Sequence, residues 1–540
     1  MTESAVHLVG VDVGTGSARA GVFNERGGLL GAAERPIPLF RPAADFAQGS
    51  SAAIWEAVAT AARTAVAEAG IRPESVRGIG FDATCSLVVA DAEGGPVSVS
   101  PGGEPDQDVI LWMDHRAIAD AEAINATGAT VLRYVGGVIS PEMEMPKLRW
   151  LKRELPGSWA RAARFWDLPD WLVHRATGAE ARSLCSPVCK WTYLGHEGVE
   201  GEGWDDTFLR GIGLEELAGD GHRMIGTRFL PPGTRIGGLT PRAAAELGLA
   251  PGTPVGASLI DAYAGALGTL GVAAEGARSG RLAVIAGTSS CHIGVSPEPV
   301  FVPGVWGPYF SVLLPEMWAL EGGQSAAGAL LDAVMARHAA AASLGEGRNR
   351  FAALHARLEG MASETATLTA GRHIQPDFHG NRSPLAEPWR HGGIDGLTLG
   401  TGLDDLALDY LAAMQALAYG ARHIVEEMRA AGVAVDTLVV SGGLARNELF
   451  LRENADATGC CVVVPAAPEP VLLGAAMLGA VAVGSHADAG AAMAAMSGSG
   501  EVVAPRGGEI AAFHDRKYRV FRRMQDDHAA YAAIMRGDGS

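Results

Sequence analysis

Two segments, one near the start of each half of the chain, combine residue types that could surround phosphate oxygens. Leu8–Ser17 and Leu282–Ser290 each run from an apolar strand into a Gly-Thr-x-Ser turn, and a second apolar stretch follows. Glycine allows a tight turn because it has no Cβ, and threonine and serine add hydroxyl donors. One such hairpin is most often an ordinary turn, but two in the same register predict two related lobes that close on one nucleotide. The candidate nucleotide-binding residues in these turns are Gly14, Thr15, Gly16, Ser17, Gly287 and Thr288.

Asp12 ends the first of these apolar strands, close to its turn. A carboxylate here could hold a water bound to Mg²⁺ beside the phosphates, because Mg²⁺ keeps several waters and takes few direct protein ligands. The alternative is a carboxylate that only caps the turn. With the paired turns beside it, Asp12 is the candidate metal-binding residue, and ATP with Mg²⁺ is the predicted cofactor pair.

Asp261 follows the apolar strand 254–260 and precedes small residues, which leave room around its carboxylate. Phosphoryl transfer to a sugar alcohol needs a base that accepts the hydroxyl proton and little other covalent chemistry. A carboxylate exposed at the carboxyl end of a strand suits that task, although such residues also commonly cap the next helix. Asp261 is the candidate catalytic base.

Two other strand ends carry candidate binding residues. The strand 76–81 ends in an Asp-Ala-Thr-Cys-Ser segment, and the carboxyl ends of strands are where open α/β sheets bind ligands. The segment 441–447 joins a buried strand to a helix, and its two glycines permit the close approach of a base or ribose. The candidates at these two ends are Asp82, Thr84, Gly442, Gly443 and Asn447.

Charged residues elsewhere have both a functional and a structural interpretation. Glu321 could accept sugar hydroxyls, or it could favour the start of a helix through the helix dipole. Lys190 could donate to a sugar oxygen or lie over aromatic rings. The cluster 112–116 is more typical of an internal ion pair than of a catalytic pair, and the adjacent cysteines 460–461 are most simply core residues.

The chain is long enough for two or three domains, and its alternating elements predict an α/β fold. A helix over 51–69 lies between strands, residues 140–220 are predicted to form an inserted helical subdomain, and a long helix is expected over 405–431. The Ala-rich segment 323–366 predicts two helices. The predicted domains are an N-terminal lobe, a C-terminal lobe and a helical tail, over 1–271, 272–485 and 486–540.

Bulk composition argues against several classes of partner, although a local basic pocket stays open. The formal net charge of −18 argues against binding of nucleic acid or anionic membranes by bulk electrostatics. The most apolar run, 471–483, is too short to cross a bilayer and predicts a buried helix. The six cysteines lack metal or redox spacing and predict free thiols in a reducing cytoplasm. The 72 glycines suggest many close approaches of the backbone to ligands.

Four segments resemble, in chain order, the conserved blocks of FGGY carbohydrate kinases: 12–17, 261–265, 286–290 and 441–447. The resemblance covers about residues 6–485. It implies two actin-like lobes of ribonuclease H type, with ATP in a central cleft and the sugar bound mainly by the first lobe. It also implies that Asp261 is the catalytic base and that Asp12 lies near Mg²⁺. On the same basis, the expected nucleotide contacts are Thr15, Gly287, Thr288, Gly328, Gly443 and Asn447.

Within this family, several segments are similar to ribulokinases and differ from glycerol kinases and xylulokinases: 81–86, 136–137, 146–147, 321–325 and 379–384. In L-ribulokinases the sugar is held by a lysine, the catalytic aspartate, a glutamate and the backbone of an Asp-x-Thr segment. The positions that align with these are Lys190, Asp261, Glu321 and Cys85. The segment 82–86, together with 182–185 and 377–382, resembles the branch that acts on D-ribulose. L-ribulokinases more often have a bulky aromatic residue in place of Ala83.

The resulting hypothesis is ATP-dependent phosphorylation of D-ribulose to D-ribulose 5-phosphate. The predicted substrate-binding residues are Asp82, Thr84, Cys85, Lys190, Asp261 and Glu321. The alternatives are a kinase for another pentulose or polyol, such as L-ribulose, xylulose or ribitol, and a non-catalytic actin-like sugar sensor. An intact Asp261 and the lack of a helix-turn-helix pattern speak against the sensor. Homodimers are common in such kinases, but no apolar stripe in the sequence locates an interface.

Overall fold

The structure is a computed structural model that describes residues 6–276, 280–344 and 349–537. Strands from the first half of the chain form one large sheet and two small ones. Their bounds are β1 His7–Val13, β2 Ser17–Asn24, β3 Leu29–Pro36, β4 Gln48–Gly49, β5 Val76–Ala83, β6 Leu87–Ala90, β7 Val109–Ile110, β8 Arg164–Asp167, β9 Arg182–Ser183, β10 Phe229–Leu230, β11 Arg235–Gly238, β12 Pro254–Gly256 and β13 Leu259–Ile260.

Strands from the second half form another large sheet and a short hairpin. Their bounds are β14 Arg281–Ala286, β15 Ser290–Ser296, β16 Trp306–Phe310, β17 Trp318–Gln324, β18 His373–Gln375, β19 Gly393–Asp395, β20 Thr437–Ser441, β21 Cys461–Pro465 and β22 Gly500–Val503.

Helices surround both large sheets. Their bounds are α1 Ser51–Glu68, α2 Ile118–Asn125, α3 Glu144–Glu154, α4 Pro156–Arg161, α5 Leu168–Thr177, α6 Cys185–Lys190, α7 Asp206–Gly211, α8 Glu215–Gly219, α9 Pro241–Leu247, α10 Asp261–Leu270, α11 Gly328–Arg337, α12 Asn349–Met361, α13 Leu403–Ala430, α14 Glu448–Thr458, α15 Pro470–Val483, α16 Ala489–Met496 and α17 Gly508–Arg536.

The two large sheets share one strand order. It is β3-β2-β1-β5-β12 in the first sheet and β17-β15-β14-β20-β21 in the second. In each sheet the first three strands are antiparallel neighbours, and the last two run parallel to the third. We call the first sheet with its covering helices the N-terminal lobe and the second the C-terminal lobe. The repeated Gly-Thr-x-Ser turns therefore belong to two copies of one topology.

Each lobe has its own apolar core, because its helices bury one face of the sheet. In the N-terminal lobe α1 packs on β2 and β3, and its buried side chains include Ile54 and Val58. In the C-terminal lobe α13 packs on α11, α14 and β17 around buried Tyr410. The predicted helices 51–69 and 405–431 are confirmed as α1 and α13, with small shifts at their ends.

The helix α15 connects the lobes. It follows β21 of the C-terminal lobe, yet it packs on β1 and β5 of the N-terminal sheet and on α10. A Cβ at Gly10 would lie 2.1 Å from the carbonyl oxygen of Leu472, and one at Gly80 would lie 2.0 Å from that of Ala475. Glycine is needed here because the helix backbone touches the sheet. The prediction that the many glycines mark close approaches of the backbone to ligands is therefore incomplete, because these two glycines allow a helix to pack on a sheet.

The insert and the tail contain more than helices. Residues 140–220 contain α3–α8, as predicted, together with β8 and β9, and β8 completes the small sheet β4-β7-β6-β8. The segment 323–366 contains α11 and α12. In the tail, β22 is the edge strand beside β21, and α17 packs on α14 and β18. The lobe boundaries given above stay a prediction.

Several smaller predictions are confirmed. Asp114 and Arg116 form a buried ion pair with a separation of 2.7 Å. All six cysteines are free thiols, and Cys460 and Cys461 are buried. Among the residues that the structure describes, no helix is both long and apolar enough to cross a membrane.

Candidate active site

The turns after β1 and β14 are each closed by a backbone hydrogen bond that the first glycine of the turn donates. The first turn has four residues between its paired strand ends, and the second has three. The Gly14 N–H donates to the Ser17 carbonyl at 3.0 Å, and the Gly287 N–H donates to the Ser289 carbonyl at 2.8 Å. Among the described residues, a Cβ added at Gly14 or Gly287 would meet no atom closer than 3.8 Å, and one at Gly16 would meet none within 4 Å. Both turns therefore present small residues to open space, as a phosphate cradle requires.

The Thr15 hydroxyl is held in place from a distant segment. Its Oγ1 accepts a hydrogen bond from Trp112 Nε1 at 3.0 Å. Trp112 was not predicted to belong to the site, because no spacing in the sequence relates it to the turn.

The second turn rests on the beginning of α11. The Gly328 N–H donates to the Gly287 carbonyl at 2.9 Å, and the Ala327 N–H donates to the Thr288 carbonyl at 2.8 Å. A Cβ at Gly328 would lie 2.8 Å from the Gly287 oxygen, so the contact requires glycine. Gly442 has a φ of 86°, and its Cβ would lie 2.5 Å from the Ala286 oxygen. The fold thus brings the predicted glycines of the C-terminal lobe together.

Asn447 is used by the fold itself. Its Oδ1 accepts from the Phe450 N–H at 3.1 Å and caps α14, while its Nδ2 donates to the Tyr410 hydroxyl at 2.7 Å. Both ends of the side-chain amide are therefore engaged. The neighbouring Gly443 borders open space, since a Cβ added there would meet no atom within 4 Å in the part of the chain that the structure describes.

Three carboxylates lie where the N-terminal strands end. Asp12 and Asp82 are opposite each other on β1 and β5, and Asp261 begins α10 directly after β13. Asp12 Oδ2 accepts a hydrogen bond from Arg19 Nε at 2.7 Å. Asp82 is fully buried, and neither of its carboxylate oxygens has a hydrogen-bond partner among the described residues.

Burial and mutual repulsion raise the pKa of two of these carboxylates. Burial, followed by the charge of Asp12, raises the pKa of Asp82 well above its usual range. The same two causes raise the pKa of Asp261 to about 7, although the Ala262 N–H that donates to Asp261 Oδ1 at 2.7 Å acts to lower it. A base with a pKa near neutrality is suited to proton transfer at neutral pH.

Lys190 and Glu321 meet across the two lobes. Lys190 Nζ lies 3.2 Å from Glu321 Oε2, and the Tyr263 hydroxyl donates to the same oxygen at 3.2 Å. Lys190 also lies 4.3 Å from the centre of the Trp306 ring, so both of its predicted interpretations apply. Burial opposes the charge of Lys190, but Glu321 outweighs this effect and raises the pKa of Lys190.

Thr84 and Cys85 lie beside these charges. The Thr84 N–H donates to the Val13 carbonyl at 3.0 Å, which ties this segment to β1. Cys85 is buried, and burial raises the pKa of its thiol well above the ordinary value although Lys190 acts to lower it. The segment therefore offers backbone groups and a neutral thiol close to Lys190.

Sequence reasoning missed an ionic group on the same side of the lobes. Arg382 Nη2 lies 3.3 Å from Glu142 Oε2, and Glu142 Oε1 lies 3.7 Å from His115 Nε2. Arg382 belongs to a segment that contributed to the family resemblance, yet nothing in its sequence neighbourhood assigned it a contact. Its partners come from remote loops, so no periodicity or spacing could have revealed them.

A second group of possible metal ligands lies outside this site. His338, Asp405 and Asp409 have ligand atoms within 4.8 Å of one another. Arg372 already pairs with both carboxylates and lies 2.9 Å from Asp405 Oδ1. This group is therefore an ion-pair cluster within the C-terminal lobe.

Comparison with known proteins gives consistent matches along the chain. The N-terminal domain of the FGGY family of carbohydrate kinases matches residues 7–268, and its C-terminal domain matches residues 282–483. The chain is 47% identical over 549 residues to the FGGY carbohydrate kinase domain-containing protein of Homo sapiens, covering 98% of each chain. It is 42% identical over 515 residues to D-ribulokinase YDR109C of Saccharomyces cerevisiae, covering 88% of this chain and 72% of that protein.

A likeness to solved structures confirms the fold. The xylulose kinase of Rhodospirillum rubrum superimposes with a TM-score of 0.79 at 21% identity, covering 97% of this chain and 99% of that structure. At this identity the likeness concerns the fold alone. The predicted pair of actin-like lobes is confirmed.

Proposed function

Because this chain belongs to the FGGY family of carbohydrate kinases, we propose that it transfers the terminal phosphoryl group of ATP to the 5-hydroxyl of D-ribulose. The family and the similarity to a D-ribulokinase over most of the chain support this reaction. The observation that carries it is the place of Asp261. This carboxylate, with a pKa near 7, lies at the strand ends beside the first nucleotide turn and within electrostatic range of Lys190 and Glu321.

Asp261 is the base in this proposal. It accepts the proton of the 5-hydroxyl as the oxygen attacks the γ-phosphorus of ATP, and the phosphoryl group moves to the sugar oxygen while ADP leaves. Lys190 donates to sugar oxygens and Glu321 accepts from sugar hydroxyls, while the 82–85 segment contributes backbone groups. Since Lys190 and Glu321 pair directly in this structure, sugar hydroxyls would exchange with that contact.

The nucleotide is proposed to lie along the two glycine turns and the C-terminal glycines. Gly14, Gly16, Gly287 and Gly443 all leave space where a Cβ would otherwise stand. The backbone N–H groups of a turn can surround phosphate oxygens, and the absence of side chains permits close approach.

A Mg²⁺ ion fits the carboxylates at this place. Asp82 has two buried oxygens without a partner among the described residues, and it lies opposite Asp12. A bound cation would relieve the repulsion between these two carboxylates. Asp12 and Asp82 would hold the ion directly or through water. When bound, it neutralises phosphate charge.

A homodimer and a cytoplasmic location stay predictions from the sequence.

The proposed reaction is tested by measuring Mg²⁺-dependent ATP consumption with D-ribulose, L-ribulose, both xyluloses, ribitol and glycerol. We expect D-ribulose to give the highest kcat/KM. Preference for another sugar would keep the kinase and overturn the assignment of substrate. Sugar binding without sugar-stimulated ATP consumption would instead support the sensor.

Gly443→Ala is expected to raise the KM for ATP about tenfold, the equivalent of about 1.4 kcal/mol. The added methyl group meets no atom of the described residues within 4 Å, so the fold should be unchanged while the nucleotide loses space. Steady-state kinetics and thermal unfolding measure the two effects.

Gly211→Ala is the matched control, because Gly211 lies in the insert at the end of α7 and its added Cβ also meets no described atom within 4 Å. This variant should keep the wild-type KM for ATP. An unchanged KM in Gly443→Ala would contradict the nucleotide role of this turn.

A further inference from the structure

Arg382 is a buried cation that links the two lobes. It lies in the connection between β18 and β19 of the C-terminal lobe, and its side chain is only 8% exposed. Its partner Glu142 precedes α3 on the side of the N-terminal lobe, with 3.3 Å between Arg382 Nη2 and Glu142 Oε2. The ion pair therefore exists only when the lobes are together.

Neighbouring side chains strengthen this contact between the lobes. Burial acts to raise the pKa of Glu142, but Arg382 and His115 outweigh it and lower the pKa to about 2. The carboxylate is therefore charged at neutral pH. His115 also stacks on His379 of the C-terminal side, with ring centres 5.7 Å apart. Two contacts of different chemistry thus join the lobes at one place.

The outer side of this pair lines a cavity. The cavity measures about 400 Å³ and lies between the lobes, with walls that include His115, Glu142, Trp306, His379 and Arg382. It is large enough for a pentulose. The cavity thus gives a small sugar a place next to Arg382.

The inner side of the pair faces the predicted acceptor residues. Arg382 Nη1 lies 3.8 Å from Cys291 Sγ, and the charges that act on the Cys291 thiol include those of Glu321 and Asp261. The Arg382 guanidinium also lies 5.5 Å from the centre of the Trp306 ring, whose centre is 4.3 Å from Lys190 Nζ. Arg382 and Trp306 therefore stand between the cavity and Lys190.

The segment that carries Arg382 is anchored at both ends. Asn381 Nδ2 donates to Asp377 Oδ1 at 2.9 Å, and Arg390 Nη1 donates to the Gln525 carbonyl of α17 at 2.9 Å. A site residue held by such supporting hydrogen bonds keeps its geometry.

We propose that Arg382 is a positioning residue of the acceptor site. Its ion pair with Glu142 closes the cavity off from Asp261 when the lobes meet, and its guanidinium supports the Trp306 ring against Lys190. The sugar enters through the cavity while the pair is open and is enclosed when the pair forms. This inference rests on the proposed kinase function. Enclosure matters because water that reaches the base would otherwise compete with the sugar as phosphoryl acceptor.

The test is Arg382→Met in the full chain. We expect the KM for D-ribulose to rise roughly tenfold or more, because even a small displacement of the bound sugar from its productive position has a large effect. We also expect the ratio of ATP hydrolysed to sugar phosphorylated to rise above that of the wild type. A residue that only stabilised the fold would lower the melting temperature without changing this ratio.

Arg372→Met is the matched control. Arg372 has a side chain 5% exposed and pairs with Asp405 and Asp409 within the C-terminal lobe. This variant should unfold at lower temperature but keep the wild-type KM and ratio. Glu142→Gln should reproduce Arg382→Met, and the double variant should be no worse than the more impaired single one.

The outcomes separate the two proposals. A wild-type enzyme that phosphorylates sugar, with an Arg382→Met variant that keeps the wild-type KM and ratio, would overturn the positioning role alone. A wild type inactive with every sugar would overturn the proposed function and this role with it.

Discussion

Asp261→Asn is expected to lower kcat for sugar phosphorylation by about 10³-fold, within the range for loss of a general acid or base. Asparagine keeps the shape of the side chain but cannot accept the hydroxyl proton. ATP affinity should change little, because the predicted nucleotide turns lie on other segments. A coupled assay measures turnover, and calorimetric titration with a non-hydrolysable ATP analogue measures binding.

The same substitution should also remove a pH dependence. In the wild type the base must be deprotonated, so kcat/KM for the sugar should be lost as pH falls through the pKa of Asp261, which is about 7 without ligands. A bound cation favours the carboxylate, so the transition should lie at or below this pH. The Asp261→Asn variant should lack it.

A buried acid away from the site provides the control. Asp456 Oδ1 accepts a hydrogen bond from the Arg506 backbone N–H at 2.7 Å, and Asp456 Oδ2 accepts one from Arg506 Nε at 2.8 Å. Asp456→Asn should lower the melting temperature and leave kcat unchanged. Turnover close to wild type in Asp261→Asn would exclude this residue as the base.

Lys190→Met is expected to raise the KM for D-ribulose about 10²-fold, with a smaller effect on kcat. The lysine supplies donors to the sugar and balances Glu321, and methionine provides neither. Stability should fall by about 3–5 kcal/mol, because one partner of a buried ion pair is left without its counter-charge. Steady-state kinetics and chemical denaturation measure the two effects.

Adding Glu321→Gln to this variant separates binding from stability. The double variant no longer buries an unpaired charge, so it should regain most of the lost stability. It should not regain sugar affinity, because the donors and acceptors of the pair are both changed. A Lys190→Met enzyme with the wild-type KM would show that the lysine serves only the ion pair.

Local patterns accounted for much of the fold. The turns at Gly14 and Gly287, the helices α1 and α13 and the strand β20 follow from short-range features: glycine geometry, helical periodicity and apolar runs. The order of strands in the two sheets was accessible only through the repeated turns and the family resemblance. The place of α15 was not accessible, because nothing local shows that a helix after β21 packs on the other lobe.

The chemical groups of the site follow from the sequence: a carboxylate after an apolar strand, two glycine turns, and a lysine and a glutamate in segments typical of the family. How these groups act together depends on the folded chain. Burial beside Asp12 raises the pKa of Asp261, and lobe contact pairs Lys190 with Glu321. It also brings Arg382 to Glu142, residues 240 positions apart in the chain. Desolvation and charge pairing depend on distances through space, and separation along the chain does not encode them.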